Sequence, residues 1–254
     1  MRREAEYFFA ALRFFTRLPV PAWVGHSAEQ LNRATRYFPL IGIIIGALGV
    51  GVTLAVAQLW PSTLAVLAGM VATLLATGAF HEDGLTDSID GLGGGWSRED
   101  ALRIMKDSRI GSYGAIGIVM ALLTKFVALD HLLSLPPLAF AAALIAGHSV
   151  SRFAAATLIC TLDYARDDSS AKSKPLATRM SRGELAFAAL TGLSPAALLP
   201  WPQAAVALLL AALAAWLAAR KFKQRIGGYT GDCLGATQQL TEIAFYLGLL
   251  CACT

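Results

Sequence analysis

Charged side chains are what this sequence has least of. Asp, Glu, Lys and Arg make up 15% of the 254 residues, where a soluble domain carries about 25%. Hydrophobic residues reach 56%, which excludes an ordinary water-soluble globule and predicts an integral membrane protein. Cysteine is scarce too. Cys160, Cys233, Cys251 and Cys253 form no disulfide framework, and no closely spaced Cys and His pairs offer a zinc site. Internal repeats and low-complexity tracts are missing, so residues 1–254 read as a single membrane domain. The N-terminus lacks the unbroken apolar core of a secretory signal, being interrupted by Arg2, Arg3, Glu4, Glu6, Arg13 and Arg17. The net charge of +4 does not point to nucleic acid, because the basic residues sit at the boundaries of apolar runs.

Those runs fall at 38–59, 62–80, 112–133, 137–160, 185–201, 203–219 and 236–253. A helix crosses the hydrocarbon core with about 20 apolar residues, which predicts an all-α, polytopic fold of about seven transmembrane helices. The fifth run is short and broken by Pro195, and the seventh carries Gln238, Gln239 and Glu242. Ahead of the first span, Tyr7, Phe8, Ala11, Leu12, Phe14, Phe15 and Leu18 form a broad apolar face opposite Glu6, Ala10, Arg13 and Arg17. That is the pattern of an amphipathic helix lying in the membrane interface or packed on the bundle, ended by Pro19 and Pro21. Apart from Lys125 and Arg152, every basic residue lies before span one, or between spans two and three, four and five, or six and seven. The positive-inside rule puts the N-terminus and these three loops (about 81–111, 161–184 and 220–235) in the cytoplasm of a cell-membrane protein. Lys125 and Arg152 lie at membrane depth, where an ionisable group requires a partner or a polar cavity. His148, four residues before Arg152 on the same helix face, and Glu242 are the candidates.

The first loop opens with His81-Glu82-Asp83-Gly84-Leu85-Thr86-Asp87-Ser88-Ile89-Asp90-Gly91. At about 100° per residue, carboxylates at 83, 87 and 90 lie within roughly 60° of one another on a helix. Three like charges on one stripe repel, and a divalent ion relieves them; hard oxygen ligands suit magnesium. The glycines 91 and 93–95 that follow would let backbone amides approach an anion. Ser97, with Asp100 three residues on, caps a short helix running through Ala101 to Lys106. Asp107 stands between Lys106 and Arg109 at the mouth of span three. The second loop, 163–174, supplies further cations for phosphate or lipid headgroups, and Ser181 with Glu184 caps the helix after it. In the third, Gly227-Gly228-Tyr229-Thr230-Gly231-Asp232 presents one Asp at a helix N-terminus. Carboxylates for a metal, cations and glycines for phosphate, and a membrane floor fit metal-assisted phosphoryl or nucleotidyl transfer.

Taken together, these residues resemble the cobalamin synthase family, the adenosylcobinamide-GDP ribazoletransferases. The resemblance runs from Phe14-Phe15-Thr16-Arg17-Leu18-Pro19-Val20-Pro21 and Arg36-Tyr37-Phe38-Pro39-Leu40-Ile41-Gly42, through 81–91 and Met105-Lys106-Asp107-Ser108-Arg109-Ile110-Gly111-Ser112-Tyr113-Gly114. It ends with Ser151-Arg152, Tyr164-Ala165-Arg166 and Thr230-Gly231-Asp232-Cys233-Leu234-Gly235-Ala236-Thr237-Gln238-Gln239. The stretch 81–114 is the specific part. Glu82 departs from the family pattern, which has an apolar residue there, and the segment after Arg166 lacks the family's glycine-containing turn.

The resemblance implies a magnesium-dependent step in which a ribose hydroxyl of α-ribazole, or of its 5′-phosphate, attacks the cobinamide-side phosphate of adenosylcobinamide-GDP and releases GMP. Asp83, Asp87 and Asp90 would hold magnesium, with Asp107 or Asp232 completing the shell and Glu82 as a further carboxylate. Lys106 and Arg109 would neutralise charge on the leaving GMP, with His81 or a metal-bound Asp as base. Arg152, Gly93, Gly94, Gly231, Gln238, Gln239 and Glu242 are candidate substrate contacts. Expected partners are corrinoid and ribazole substrates and membrane lipid, with a homo-oligomer or association with other late cobalamin-assembly enzymes also compatible. Rival readings are a CDP-alcohol phosphotransferase, for which Gly94-Gly95 and the missing later aspartates are wrong, a prenyltransferase, and a transporter lined by Lys125, Arg152 and Glu242.

Overall fold

The computed structural model describes residues 2–25, 27–166 and 180–251. Among these the chain is all-helical: α1 (Arg2–Phe15), α2 (Ala28–Ala34), a 3-10 turn (Thr35–Tyr37), α3 (Phe38–Val56), α4 (Ser62–Thr77), α5 (Phe80–Gly94), α6 (Arg98–Ile104), α7 (Ser112–Leu132), α8 (Pro137–Thr161), α9 (Arg182–Leu193), a second 3-10 turn (Ser194–Leu198), α10 (Trp201–Ile226) and α11 (Gly231–Cys251). Prolines open α3, α8 and α10 in their first turn, where a missing N–H is harmless. The capping box of Ser181 and Glu184 is formed at α9. Ser97 accepts from the Asp100 amide, but the helix it caps starts at Arg98 and stops at Ile104.

The expectation of seven spans is corrected. Among the described residues four helices are long and apolar enough to cross a membrane: the stretch Glu29–Val56, α7, α8 and α10. A fifth arises if α4 and α5 are taken as one span bent by 86°. The run at 185–201 folds instead as α9, whose 12 residues reach only about 18 Å, followed by the turn containing Pro195. α11 has the length but not the apolar content; it is the buried centre of the bundle, with Gln238, Gln239 and Glu242 all inside. The chain is a polytopic helical membrane protein.

α1 is packed on the bundle, with Ala10, Ala11, Leu12 and Phe15 buried. Ala10, placed by its sequence pattern on the polar stripe, is therefore a core residue. Two apolar cores result. One, at the loop end, gathers Phe15, Phe38, Leu85, Phe222, Ile226, Tyr229 and Leu234. The other, towards the far end, gathers Val66, Leu129, Leu132, Phe140, Phe245, Tyr246 and Leu249.

The corner between α4 and α5 sets the site. Gly78 and Ala79 both take left-handed conformations, at φ 67° and 57°, which for Ala79 is a strain on the order of 1 kcal/mol. Arg17 lies over Gly78, and its amide donates to the Ala76 carbonyl at 2.7 Å. The corner turns α5 by 86° from α4, so the acidic helix does not continue the line of the apolar one.

Candidate active site

α5 and α11 cross at Gly84 and Gly235. A Cβ on Gly84 would stand 2.9 Å from the Asp232 carbonyl oxygen, and one on Gly235 3.0 Å from that of His81. The missing side chains let the helices touch, and so bring Asp83 beside Asp232. The second and third loops are tied together by paired extended backbone: the Tyr229 amide donates to the Asp163 carbonyl at 2.9 Å, and the Ala165 amide to the Tyr229 carbonyl at 2.8 Å. Arg98 reaches from α6 to pin both, donating to the carbonyls of Ile226 at 2.9 Å and Ala165 at 2.8 Å. The three loops thus enclose a cavity of 180 Å³ lined by Asp83, Asp232, Arg166, Tyr164, Tyr229, Phe14, Phe80 and Gly231.

Negative charge is crowded there. Arg166 Nη2 donates to Asp232 Oδ2 at 2.8 Å, and the Thr230 hydroxyl donates to the same oxygen at 3.2 Å. Arg166 Nε is buried with no partner among the described residues. Burial, then the charges of Asp83, Asp232 and Asp90, push the Asp87 carboxyl up to about 7. A group in that position gains from a cation nearby. Among the described residues no three His, Cys, Asp or Glu side chains converge closely enough to hold a metal alone. Magnesium rarely needs such a cage: it binds one or two carboxylates and takes its other ligands from water and substrate phosphates. Two aspartates on one cavity and a third coupled to them are a donor set that fits.

The other expected residues divide. α5 is one continuous helix, so 83, 87 and 90 do share it, but Asp90 is committed elsewhere. Its two oxygens accept from the amides of Gly111 at 2.7 Å and Gly114 at 2.8 Å, satisfying the open N-terminus of α7. Asp107 is held by Arg109 in a paired contact, Nη2 to Oδ2 at 2.6 Å, which drops its carboxyl to about 2. Neither these two nor the exposed Lys106 lines the cavity. Gly93 and Gly94 fall in the last turn of α5. Close packing of α6 accounts for their neighbours Gly91 and Gly95, since a Cβ on either would collide with the Ala101 backbone. His81 is buried, stacked on Phe15 at 5.7 Å, and faces a separate small chamber with Arg152 and Gln238.

Below lies a second polar cluster, between the two apolar cores. Lys125 Nζ stands 2.6 Å from Glu242 Oε1, to which the Tyr246 hydroxyl also donates at 3.1 Å. Gln238 bridges Glu242 to the Ser151 hydroxyl. Gln239 donates to Glu82 Oε1 and to Gln238 Oε1, both at 2.8 Å. Glu242 therefore pairs with Lys125 rather than with Arg152, because α7 delivers Lys125 to it. Arg152 donates from Nη1 to the His148 carbonyl at 3.0 Å and approaches His148 Nδ1 at 3.2 Å, while its Nε has no partner among the described residues. Glu82 belongs to this buried cluster, not to the cavity.

Arg166, Tyr164 and Tyr229 were missed as site residues. The first two stand in the family-like motif Tyr164-Ala165-Arg166, which was the available signal; the pairing that turns Tyr229 towards them is long-range. The cations at 172, 174 and 179 lie outside the described residues.

The family model for Cobalamin-5-phosphate synthase (CobS) matches residues 7–250. The chain is 49% identical to the adenosylcobinamide-GDP ribazoletransferase of Leptothrix cholodnii, over 97% of this chain and 96% of that protein. It is 47% identical to the Shewanella woodyi enzyme of the same name, over 98% and 97%. No solved structure matches it.

Proposed function

This chain belongs to the cobalamin-5-phosphate synthase (CobS) family, the adenosylcobinamide-GDP ribazoletransferases of cobalamin biosynthesis, and from that premise we propose that transfer takes place in the acidic cavity of Asp83, Asp232 and Arg166. The ribose hydroxyl oxygen of α-ribazole, or of its 5′-phosphate, forms a bond to the cobinamide-side phosphorus. The bond from that phosphorus to the GMP oxygen breaks, and the hydroxyl proton passes to a cavity carboxylate.

The observation that carries this reading is the meeting of two carboxylates and a half-free guanidinium in one cavity. Asp83 and Asp232, with Asp87 behind them, would hold magnesium, which supplies charge neutralisation for the diphosphate. Arg166 spends one nitrogen on Asp232 and keeps others for a phosphate oxygen. Tyr164, Tyr229, Phe14 and Phe80 give flat walls for the ribazole base. A 180 Å³ cavity takes the reacting phosphates and leaves the far larger corrinoid outside, along α1. His81 has no path to the cavity in this scheme, and the proton acceptor is an aspartate. The loops face the cytoplasm by the positive-inside rule. A transporter reading is weaker, because Lys125 and Glu242 fill one another's space.

Purified protein given adenosylcobinamide-GDP, α-ribazole and magnesium should release GMP and form cobalamin. The Arg166→Gln variant should raise KM for adenosylcobinamide-GDP more than it lowers the rate of a magnesium-saturated turnover. Wild-type kinetics in that variant would move the site elsewhere.

A further inference from the structure

A groove of 570 Å³ runs between α8 and α10, lined on one side by Phe153, Thr157 and Leu158 and on the other by Leu208, Ala215 and Trp216. Both helices are long and apolar enough to cross a membrane, and Trp216 is exposed along the groove, so it opens towards lipid. Alanines at 211, 215 and 219 stand one turn apart on α10 and leave it unfilled. At one end lie Arg220 and Lys223, also lining the groove. Both are exposed, and among the described residues neither has a carboxylate within ion-pair distance. The Arg220 guanidinium sits over the Trp216 ring, 5.5 Å from its centroid. An apolar trough ending in two unneutralised cations beside an interfacial tryptophan has the charge pattern of a lipid with an anionic head.

We propose that this groove binds one anionic phospholipid, an acyl chain along the alanines and its phosphate on Arg220 and Lys223. The basic end is the loop end: α8 runs on from Thr161 to Tyr164 and Arg166, and α10 runs on to Tyr229 and Asp232. The lipid therefore lies between the two helices that carry opposite walls of the acidic cavity. It is a structural lipid, distinct from the substrates.

The test uses the full chain purified in detergent, with lipid retention read by native mass spectrometry. Phosphatidylglycerol should be retained at one copy, with a preference over phosphatidylcholine on the order of tenfold for two cations. Arg220→Gln with Lys223→Gln should erase that preference, and Ala215→Phe should lower retention of both lipids. The double variant changes exposed side chains only, so it reads out even if the groove-filling variant does not fold. Equal retention of the two lipids by the wild type, or an unchanged preference in the double variant, overturns the proposal. So does displacement of phosphatidylglycerol by adenosylcobinamide-GDP, which would make the groove a substrate site.

Discussion

Two charged clusters lie at different depths along α5 and α11 and differ in how their charges are met. In the buried one, between the two cores, Lys125 and Glu242 neutralise each other, and Gln238, Gln239, Ser151 and Tyr246 close most of the remaining hydrogen bonds. At the loop end, Asp83, Asp87 and Asp232 share one cation among the described residues, Arg166. The first cluster balances in formal charge, Lys125 and Arg152 against Glu242 and Glu82, with Arg152 Nε and Glu82 Oε2 the atoms left without a partner among the described residues. Among the described residues the second is left with excess negative charge, which works against the empty fold and is relieved by a bound cation. A buried charge alone is thus a poor guide to function here; an unbalanced one is the better guide.

The comparison breaks hardest at Lys125. Lys125→Met leaves Glu242 buried without its cation, a loss of about 3–5 kcal/mol, visible as a lowered thermal midpoint in detergent. The folded fraction should keep its activity, and Lys125→Met combined with Glu242→Gln should recover part of the stability. Normal stability with lost turnover would instead make the buried cluster catalytic. At the loop end the signs reverse. Asp83→Asn and Asp232→Asn should each reduce GMP release roughly 10²–10³-fold with membrane insertion intact. Asp87→Asn should lose activity while raising the thermal midpoint of the magnesium-free protein. Because its carboxyl is raised to about 7, the empty protein loses stability as pH rises from the ordinary carboxylate range to about 7, and the amide removes that loss. A fall in the midpoint would show that the carboxylates are not in conflict.

Much of this was legible in the chain. Membrane character followed from the missing charge, and the single helix carrying 83, 87 and 90 from their spacing. The caps at Ser97 and Ser181 followed from residue type. What local pattern could not carry was partner choice across the fold. Asp90 looks like a third ligand until α7 arrives with Gly111 and Gly114; Glu82 looks like a fourth until Gln239 takes it. The glycines before Trp96 suggest a phosphate loop because sequence does not reveal that α6 packs onto Gly91 and Gly95. The fifth run had nearly enough apolar residues for a span, but Pro195 and a helix of 12 residues made it a surface element.

Asp90 sharpens the boundary between the two kinds of carboxylate. As the cap of α7 it should behave like other buried helix caps, so Asp90→Ala should lower stability by about 1–2 kcal/mol. The magnesium concentration for half-maximal activity should stay near that of the wild type. A large rise in that concentration would return Asp90 to the metal set.

The smallest effect is expected at Ala79, where the comparison reaches the backbone. Its left-handed conformation turns α5 out of the line of α4 and so aims Asp83 at the cavity. Glycine adopts that conformation without strain but gives the unfolded chain more freedom. The two effects partly cancel, and Ala79→Gly should stabilise the protein by less than about 1 kcal/mol. If the corner only needs to exist, turnover will be unchanged. If the methyl group also holds α5 stiffly, the extra freedom will appear as weaker magnesium activation at unchanged stability. The deciding measurement is therefore the ratio of magnesium activation to thermal midpoint in this one variant.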